Sequence, residues 1–455
     1  MKSKEVQSTP YGFVDASRTI RKLSEVCVPK DGIQTGPFGS QLHSSDYVED
    51  GTPIITVEHL GENIVEGKKP PLVNADDVQR LVKYTLKEGD IVFSRVGSVD
   101  RRALVTKAQN GWMFSGRLLR VRPEPELVDS RYLSYFFGLP MFKTYIRSIA
   151  VGATMPSLNT GLLSDVPVIL PGIKEQQVIG KVLSTLDEKI RINNELSKTL
   201  EDTAQTIFKS WFIHFDPVKA RLAGEKPDGM DAATAALFPD SMEESELGLI
   251  PSGWDVKSAI DLFEIGIGRT PPRKETEWFC DGNTGLPWVS IRDMGTFETF
   301  SHATSQGLTQ AAVQKFKVPV VPENTVLMSF KLTVGKLCIT DRQMVTNEAI
   351  AHFRISQNSP LDTVFTYLWL SNLDMDSLDS TSSIGTATNS GIIKQIKFLV
   401  PPQEIIRNFQ ESVSPVFSQL RLLRQQTTNL VLIRDSLLPR LISGQLQIPQ
   451  EMLAS

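Results

Sequence analysis

The chain carries one pattern twice, and no other feature constrains it as much. GTPIITVEHLG at 51–61 lines up with GLPWVSIRDMG at 285–295, and NTGLLSDVPVILP at 159–171 lines up with NSGIIKQIKFLVP at 389–401. Between these anchors, LKEGDIVFSRVGSVDRRALV (86–105) follows the same course as VPENTVLMSFKLTVGKLCI (321–339). Each runs from a turn into a β-branched apolar strand, through a polar glycine-containing turn, and into a second strand. Identities are sparse, but several anchors in one order at nearly one offset mark a duplication. The 455 residues suit two to four domains at roughly 100–200 residues each.

The two copies share an internal order. Short strand-like runs such as Pro53–Val57, Asp90–Ser94 and Ala103–Thr106 are broken by Gly, Asn and Pro turns. Aromatic-rich helical stretches follow at Ser130–Phe142 and Leu361–Leu370, and a Pro-bounded run closes each copy, VPVIL (166–170) or IKFLV (396–400). The mixture predicts an α+β domain, present twice.

A longer periodicity follows each copy. Leu183, Leu186, Ile190, Asn193, Ser197, Leu200, Ala204, Ile207 and Trp211 alternate steps of three and four. Phe409, Val413, Val416, Leu420, Leu423, Thr427, Leu430, Arg434, Leu437 and Leu441 do the same. This is the seam of a coiled coil, in which Asn193 and Ser197 would cost stability and fix register. Pro415 and Pro439 are expected to bend or bound the second helix. The expected organisation is a first domain (1–170), a first spacer helix (171–215), an acidic linker (216–250) with a short helix at Asp231–Leu237, a second domain (251–400), a second spacer helix (401–446) and a tail (447–455). If the helices pair antiparallel, the domains become related by a pseudo-twofold axis. The plainer alternative is that each helix only covers its own domain.

Charge and motifs narrow the function. The chain has 48 Lys+Arg against 52 Asp+Glu, net −4, and the 216–250 stretch alone holds three basic and eight acidic residues. Phosphate attraction drives nonspecific DNA affinity, so the lack of a basic excess speaks against a freestanding tight DNA binder. It leaves room for a protein that shares positive surface with partners. No GxxxxGK[ST] loop occurs, Gly266 and Gly268 lead into Pro271-Pro272 rather than a helix, and the five histidines are dispersed. Glu66-Gly67-Lys68 has a spacing found in some nucleases, but such triplets are common. No catalytic, cofactor-binding or metal-binding residue is expected. Three scattered cysteines and no apolar run near the roughly 20 residues of a bilayer span predict a cytoplasmic chain with no membrane partner.

Polar residues in the turns are the recognition candidates. In the first copy these are Gln34, Thr35 and Ser40, in a turn-rich segment with Phe38 and Gly39, and the cluster Arg95, Ser98, Arg101, Arg102, Lys107 and Arg117. The second copy offers Arg269, Thr270, Arg292, Lys331, Thr333, Lys336 and Asn347 at broadly equivalent places. Singly each is an ordinary solvated side chain; as duplicated sets they suit phosphates and base edges. Phe208, Trp211, Phe212, Leu437 and Leu441 are candidates for partner docking or for packing in the helical seam.

PGIKEQQVIGKVLSTLDEKIRINNELSKTLEDTAQTIFKSWFIHFDPV (171–218), PPQEIIRNF (401–409) and LLPRLISGQL (437–446) resemble the central and C-terminal regions of specificity subunits of type I restriction-modification enzymes. LIPSGW (249–254) resembles that family's passage into a second target recognition domain; the first copy lacks the Gly-Trp, which blurs where its domain begins. The resemblance implies that each domain reads one half of a bipartite duplex DNA site in adjacent major grooves. The helices would hold the domains apart and dock two modification subunits, which supply S-adenosylmethionine and adenine-N6 methylation. Restriction subunits would add ATP- and Mg2+-dependent translocation and cleavage, and this chain alone would be neither catalytic nor cofactor-bound. The rival is a non-DNA adaptor, two globular domains bridged by coiled helices that assemble a protein complex.

Overall fold

The computed structural model describes residues 5–39, 41–282, 284–375 and 390–454. Ser40 and the Asn389 anchor lie outside them. The chain divides into two compact units, Met1–Ile192 with Thr427–Ser455, and Asn193–Gln426. The dividing points fall inside the long helices, so each unit holds one copy of the repeat together with a stretch of each helix.

Unit 1 holds the strands β1 (Ile33–Thr35), β2 (Thr52–Ile55), β3 (Glu62–Asn63), β4 (Ile91–Ser94), β5 (Arg102–Leu104), β6 (Leu118–Val121) and β7 (Pro167–Leu170). Its main sheet runs β1-β6-β4-β5-β3. All four residues of β4 are buried, because the sheet is covered on both faces. Ile91 and Phe93 face an aromatic core with Tyr132, Phe136, Phe137 and Phe142, while Val92 faces a second core with Ile54, Met113 and Phe114. The helical stretch expected at 130–142 is two helices, α1 (Ser130–Phe136) and α2 (Pro140–Ile149). Asp129 caps α1 by accepting from the N–H groups of Arg131 and Tyr132. Pro140 lacks the N–H that would continue α1 and suits the first turn of a new helix.

Unit 2 repeats the plan with β8 (Phe263–Ile267), β9 (Leu286–Val289), β10 (Val326–Ser329), β11 (Leu337–Ile339), β12 (Ile350–Ile355), β13 (Lys397–Val400) and α3 (Thr363–Ser371), in the sheet order β8-β12-β10-β11. The repeat is exact in bonding where it is sparse in identity. Gly36 donates to the Leu118 carbonyl as Gly268 does to Ile350, Ser94 to Arg101 as Ser329 to Lys336, and Ser115 to Ile55 as Asn347 to Val289. Both glycines are forced by close approach: a Cβ on either would stand 2.2 Å from a carbonyl oxygen, of Ser115 or of Thr346.

The long helices run Ile173–Phe212 (40 residues) and Gln403–Ser443 (41 residues), roughly 60 Å each at 1.5 Å per residue. Every seam position is buried or half-buried. Their pairing is antiparallel inside each unit. In unit 1 Arg18 donates to Glu175 at 2.7 Å and to the Leu441 carbonyl at 3.2 Å, and Arg434 donates to Asp187 at 2.8 Å. In unit 2 Asn193 donates to Gln426 at 3.5 Å, and Phe208 and Phe212 pack on Phe409 with centroids 5.7 and 5.0 Å apart. A tyrosine of the aromatic helix reaches the first long helix in each unit: Tyr135 donates to Asp187 at 2.5 Å, and Tyr367 to Glu201 at 2.9 Å. Burial, and then the carboxylate beside it, pushes each phenol far above its usual range.

Two expectations are corrected, and for the seam residues the burial favours packing over docking, the two readings given for them. The second helix continues through Pro415 and Pro439, because Val413 and Phe417 on one side and Leu438 and Leu441 on the other gain burial that offsets the lost hydrogen bonds. The acidic segment 216–250 is folded well beyond the one short helix expected at Asp231–Leu237, which is present as Ala232–Ala236: a second helix spans Asp216–Leu222, a hairpin pairs Met242–Ser245 with Gly248–Pro251, and Phe238 is buried against Trp211 and Trp254. Phe208, Trp211 and Phe212 are only 0%, 9% and 1% exposed, in a core with Phe365, Phe409 and Trp254, so they offer no free docking surface. Leu441, and less completely Leu437, pack into the core of unit 1.

Two stability tests follow. Phe208→Ala should destabilise unit 2 by about 3–5 kcal/mol through cavity formation, read as a lower urea midpoint. His352 on β12 is fully buried, 2.6 Å from the Thr346 hydroxyl; burial, with Arg354 beside it, lowers its pKa to about 3. The unfolded chain binds that proton near pH 6.5, so this contribution to stability is full above about pH 6.5 and is lost as pH falls toward 3, by at most about 1.4 kcal/mol per pH unit. His352→Gln should flatten that slope. Five of the six tryptophans lie within 193–426, so their fluorescence reports the transition of unit 2.

Candidate nucleic-acid interface

The recognition candidates of unit 1 separate by the sheet ends. The β4–β5 turn (95–101), the segment after β1 (36–39) and the turn before β6 (115–117) meet at one end. Arg95 donates its backbone N–H to the Arg117 carbonyl at 2.9 Å and an Nη1 hydrogen to the Gly116 carbonyl at 3.3 Å. Its guanidinium lies 5.5 Å from the ring of Phe38, which is 53% exposed. Gln34 and Thr35 are half-buried on β1 beside β6, and Ser98 is exposed on the turn. Arg101 is exposed, with a guanidinium nitrogen on the Leu60 carbonyl. A cleft of about 780 Å³ opens here, lined among others by Phe38, His43, Lys68, Lys69, Ser115 and Arg117. His43 and Lys69 were not singled out in the sequence, and Lys68 only as part of the Glu66-Gly67-Lys68 triplet; they come from loops whose meeting depends on long-range pairing.

Two expected residues do not belong to this surface. Arg102 is 2% exposed and donates to the Ser134 carbonyl at 2.6 Å and to Glu62 at 2.7 Å. It ties the sheet to α1 and cannot reach a duplex. Burial would raise the Glu62 pKa, but Arg102 and Lys143 together hold it below the usual range. Lys107 is exposed but stands at the opposite end of the sheet, since β5 runs antiparallel to β4 and Val105 bonds back to Asp90. Arg120 and Arg122 are likewise committed, to Asp31 and, for Arg122, bidentately to the buried Asp90 at 2.8 Å.

In unit 2 the candidates gather at the equivalent end. Lys331, Thr333 and Lys336 lie on the β10–β11 turn, closed by the Ser329–Lys336 backbone bond, and Asn347 occupies the place of Ser115. Arg269 is exposed, bonds through its N–H to the Thr346 carbonyl at 2.9 Å, and donates to the Phe316 carbonyl at 3.2 Å. Thr270 is bound to Glu348. Arg292 is exposed on the short helix Ile291–Met294, capped by Ser290 as Thr56 caps Val57–His59 in unit 1, which puts Arg292 in the place of Glu58. Leu332 sits at the tip of the turn, 77% exposed at φ 67°, where unit 1 has Gly97 at φ 80°. A leucine in the left-handed region costs backbone energy, and its exposure forgoes burial.

Among the described residues no group of three or more His, Cys, Asp or Glu is placed to hold a metal ion, and no helix is long and apolar enough to cross a membrane. The separation of scaffold from surface is testable without any ligand. Arg102→Ala should lower stability by roughly 1.5–3 kcal/mol, the scale of lost charged hydrogen bonds. Arg117→Ala and Lys336→Ala should stay within about 0.5 kcal/mol. Chemical denaturation distinguishes them.

Comparison with known proteins fits this geometry. The family described as type I restriction modification DNA specificity domain matches residues 21–202 and again residues 251–430, once in each copy of the repeat. The chain is 27% identical over 418 residues to the type I restriction enzyme HindI specificity subunit of Haemophilus influenzae, covering 82% of this chain and 90% of that protein. It is 26% identical over 328 residues to the MjaIX specificity subunit of Methanocaldococcus jannaschii, covering 71% and 70%. The crystal structure of the type I restriction-modification S subunit from M. genitalium shares the fold, with a TM-score of 0.60 at 15% identity over 93% of this chain and 96% of that one. With both copies matched, the chain belongs to the family of type I restriction-modification DNA specificity subunits.

Proposed function

We propose that each unit reads one half of a bipartite duplex DNA site, and that the long helices carry the modification subunits that methylate adenine there. The observation that supports this reading most is the repeated turn cluster. Two domains share a backbone-bonding scheme yet present different side chains at the same sheet end: Arg95, Ser98, Arg101 and Arg117 in one, Lys331, Thr333, Lys336 and Asn347 in the other. Domains that keep a scaffold and vary its rim suit two different half-sites. The arginines suit guanine edges and the flexible lysines suit phosphates.

Docking then falls on the outward faces of the helices, since the seam aromatics are buried. Ile192, Leu196, Leu422, Leu432 and Ile433 are 41–63% exposed there, and large apolar side chains left in water favour a protein partner. In this reading S-adenosylmethionine enters with two modification subunits, and ATP and Mg2+ with restriction subunits. This chain contributes recognition and assembly, and no reacting group.

The test is to exchange residues 19–170 for those of another family member and sequence methylated adenines genome-wide in cells carrying the cognate modification subunits. Arg18 stays, because it ties the domain to Glu175 and Leu441. One half-site should change while the other half and the spacing stay fixed. A change in both halves, or an assembled complex that methylates at no discrete motif, would refute the proposal.

A further inference from the structure

We propose that each unit reads a guanine with an arginine held over an aromatic ring: Arg95 in unit 1 and Arg273 in unit 2. This rests on the two-half-site reading and names the residues that carry its specificity. Arg273 lies on the loop after β8, past Thr270 and the double proline. Its guanidinium stands 4.2 Å from the Trp288 ring and 4.8 Å from Phe279, and Nη1 donates to Gln306 at 2.7 Å. Trp288 is 1% exposed, so the platform is fixed, while Arg273 itself is exposed. Arg95 lies over Phe38, 5.5 Å from the ring centroid, and donates from Nη1 to the Gly116 carbonyl, while its Nε is buried with no hydrogen-bond partner among the described residues.

A guanidinium over a ring is attracted by the ring's electron-rich face, while its directional bonding stays in its own plane. In each unit one donor is bonded to the protein; on Arg95 the buried Nε is also out of reach of a duplex, so the remaining Nη hydrogens are the ones to face a base. That planar fork matches the O6 and N7 acceptors of guanine in the major groove. The ring contact and the hydrogen bond also limit rotamer freedom before binding, so less entropy is lost per hydrogen bond formed than with a free side chain.

The two units assemble the device from exchanged parts. In unit 1 the segment after β1 supplies the ring, Phe38, and the end of β4 supplies the arginine. In unit 2 the equivalent loop supplies the arginine and β9 supplies the ring, Trp288, while Phe330 fills the place of Arg95. An arginine that keeps an aromatic partner while coming from a different element in each unit fits a contact that meets a base at a different place in each half-site.

The experiment uses the complex with its cognate modification subunits and measures adenine methylation across a library of duplexes randomised at each position. Arg273→Lys keeps the charge and loses the fork, and so does Arg95→Lys. The wild-type motif should contain guanine in both halves. Each variant should lose roughly 5- to 150-fold of the preference for guanine at one position in one half, with the other half unchanged. Phe38→Leu, at an exposed position, should relax the same position as Arg95→Lys and serves if the half-buried Arg95 tolerates no change. A half-site without guanine, or variants that lower methylation of all sequences alike with the motif intact, would overturn the proposal. A wild-type complex with no discrete motif would overturn the two-half-site reading and this inference with it.

Discussion

Neither long helix can hide its apolar stripe alone, and the rest of the structure depends on how that is resolved. A 40-residue helix with one apolar face is stable in water only when the face is covered. In each unit the cover is an antiparallel stretch of the other helix together with the layer of the recognition domain that holds the aromatic residues. Leu183 shares a core with Tyr132, Leu438 and Leu441; Phe208 shares one with Phe365 and Phe409. The tyrosine hydroxyls that reach Asp187 and Glu201 add direction to this contact. Apolar burial would tolerate small rotations of a domain on its helix, whereas a buried hydrogen bond to a carboxylate penalises them.

The same economy separates charges that hold the fold from charges free to bind. Arg102, Arg120 and Arg122 are locked onto carboxylates and carbonyls. Burial would raise the Asp31 pKa, but Arg120 and Arg122 hold it below the usual range. Removing one partner from such a cluster strands the other, so its members cannot drift independently. The turns at the sheet end carry no such obligation. Among the described residues their side chains bond mainly to main-chain carbonyls, so they can change while the backbone scheme persists.

Much of this was legible in the sequence because the duplication is carried by strand, turn and heptad patterns, which are local. The 3–4 steps from Leu183 to Trp211 and from Phe409 to Leu441 fall on residues that are buried or half-buried throughout. Arg102 was misread although a signal existed: alternation along β5 sets it on the same face as Leu104, which packs toward the aromatic core. Nothing local revealed Arg273, whose role is set by Trp288 and Phe279 reached through tertiary contacts. The folded state of 216–250 was hidden for a similar reason. Its composition is that of a linker, and its order comes from Phe238 lodging between two distant tryptophans.

Because unit 1 is completed by Thr427–Ser455, its two parts are made at very different times. Synthesis at about 5–20 residues per second leaves the first part waiting on the order of tens of seconds for the second. During that interval the stripe around Leu183, Leu186 and Ile190 has no partner strand of helix, and Arg18 lacks the Leu441 carbonyl. Unit 2, whose segments are contiguous, is the first that can close on the ribosome, although it is encoded second. The newborn chain therefore passes through a sticky half-made state, in which its own missing segment competes with chaperones and with other copies for the same uncovered stripe.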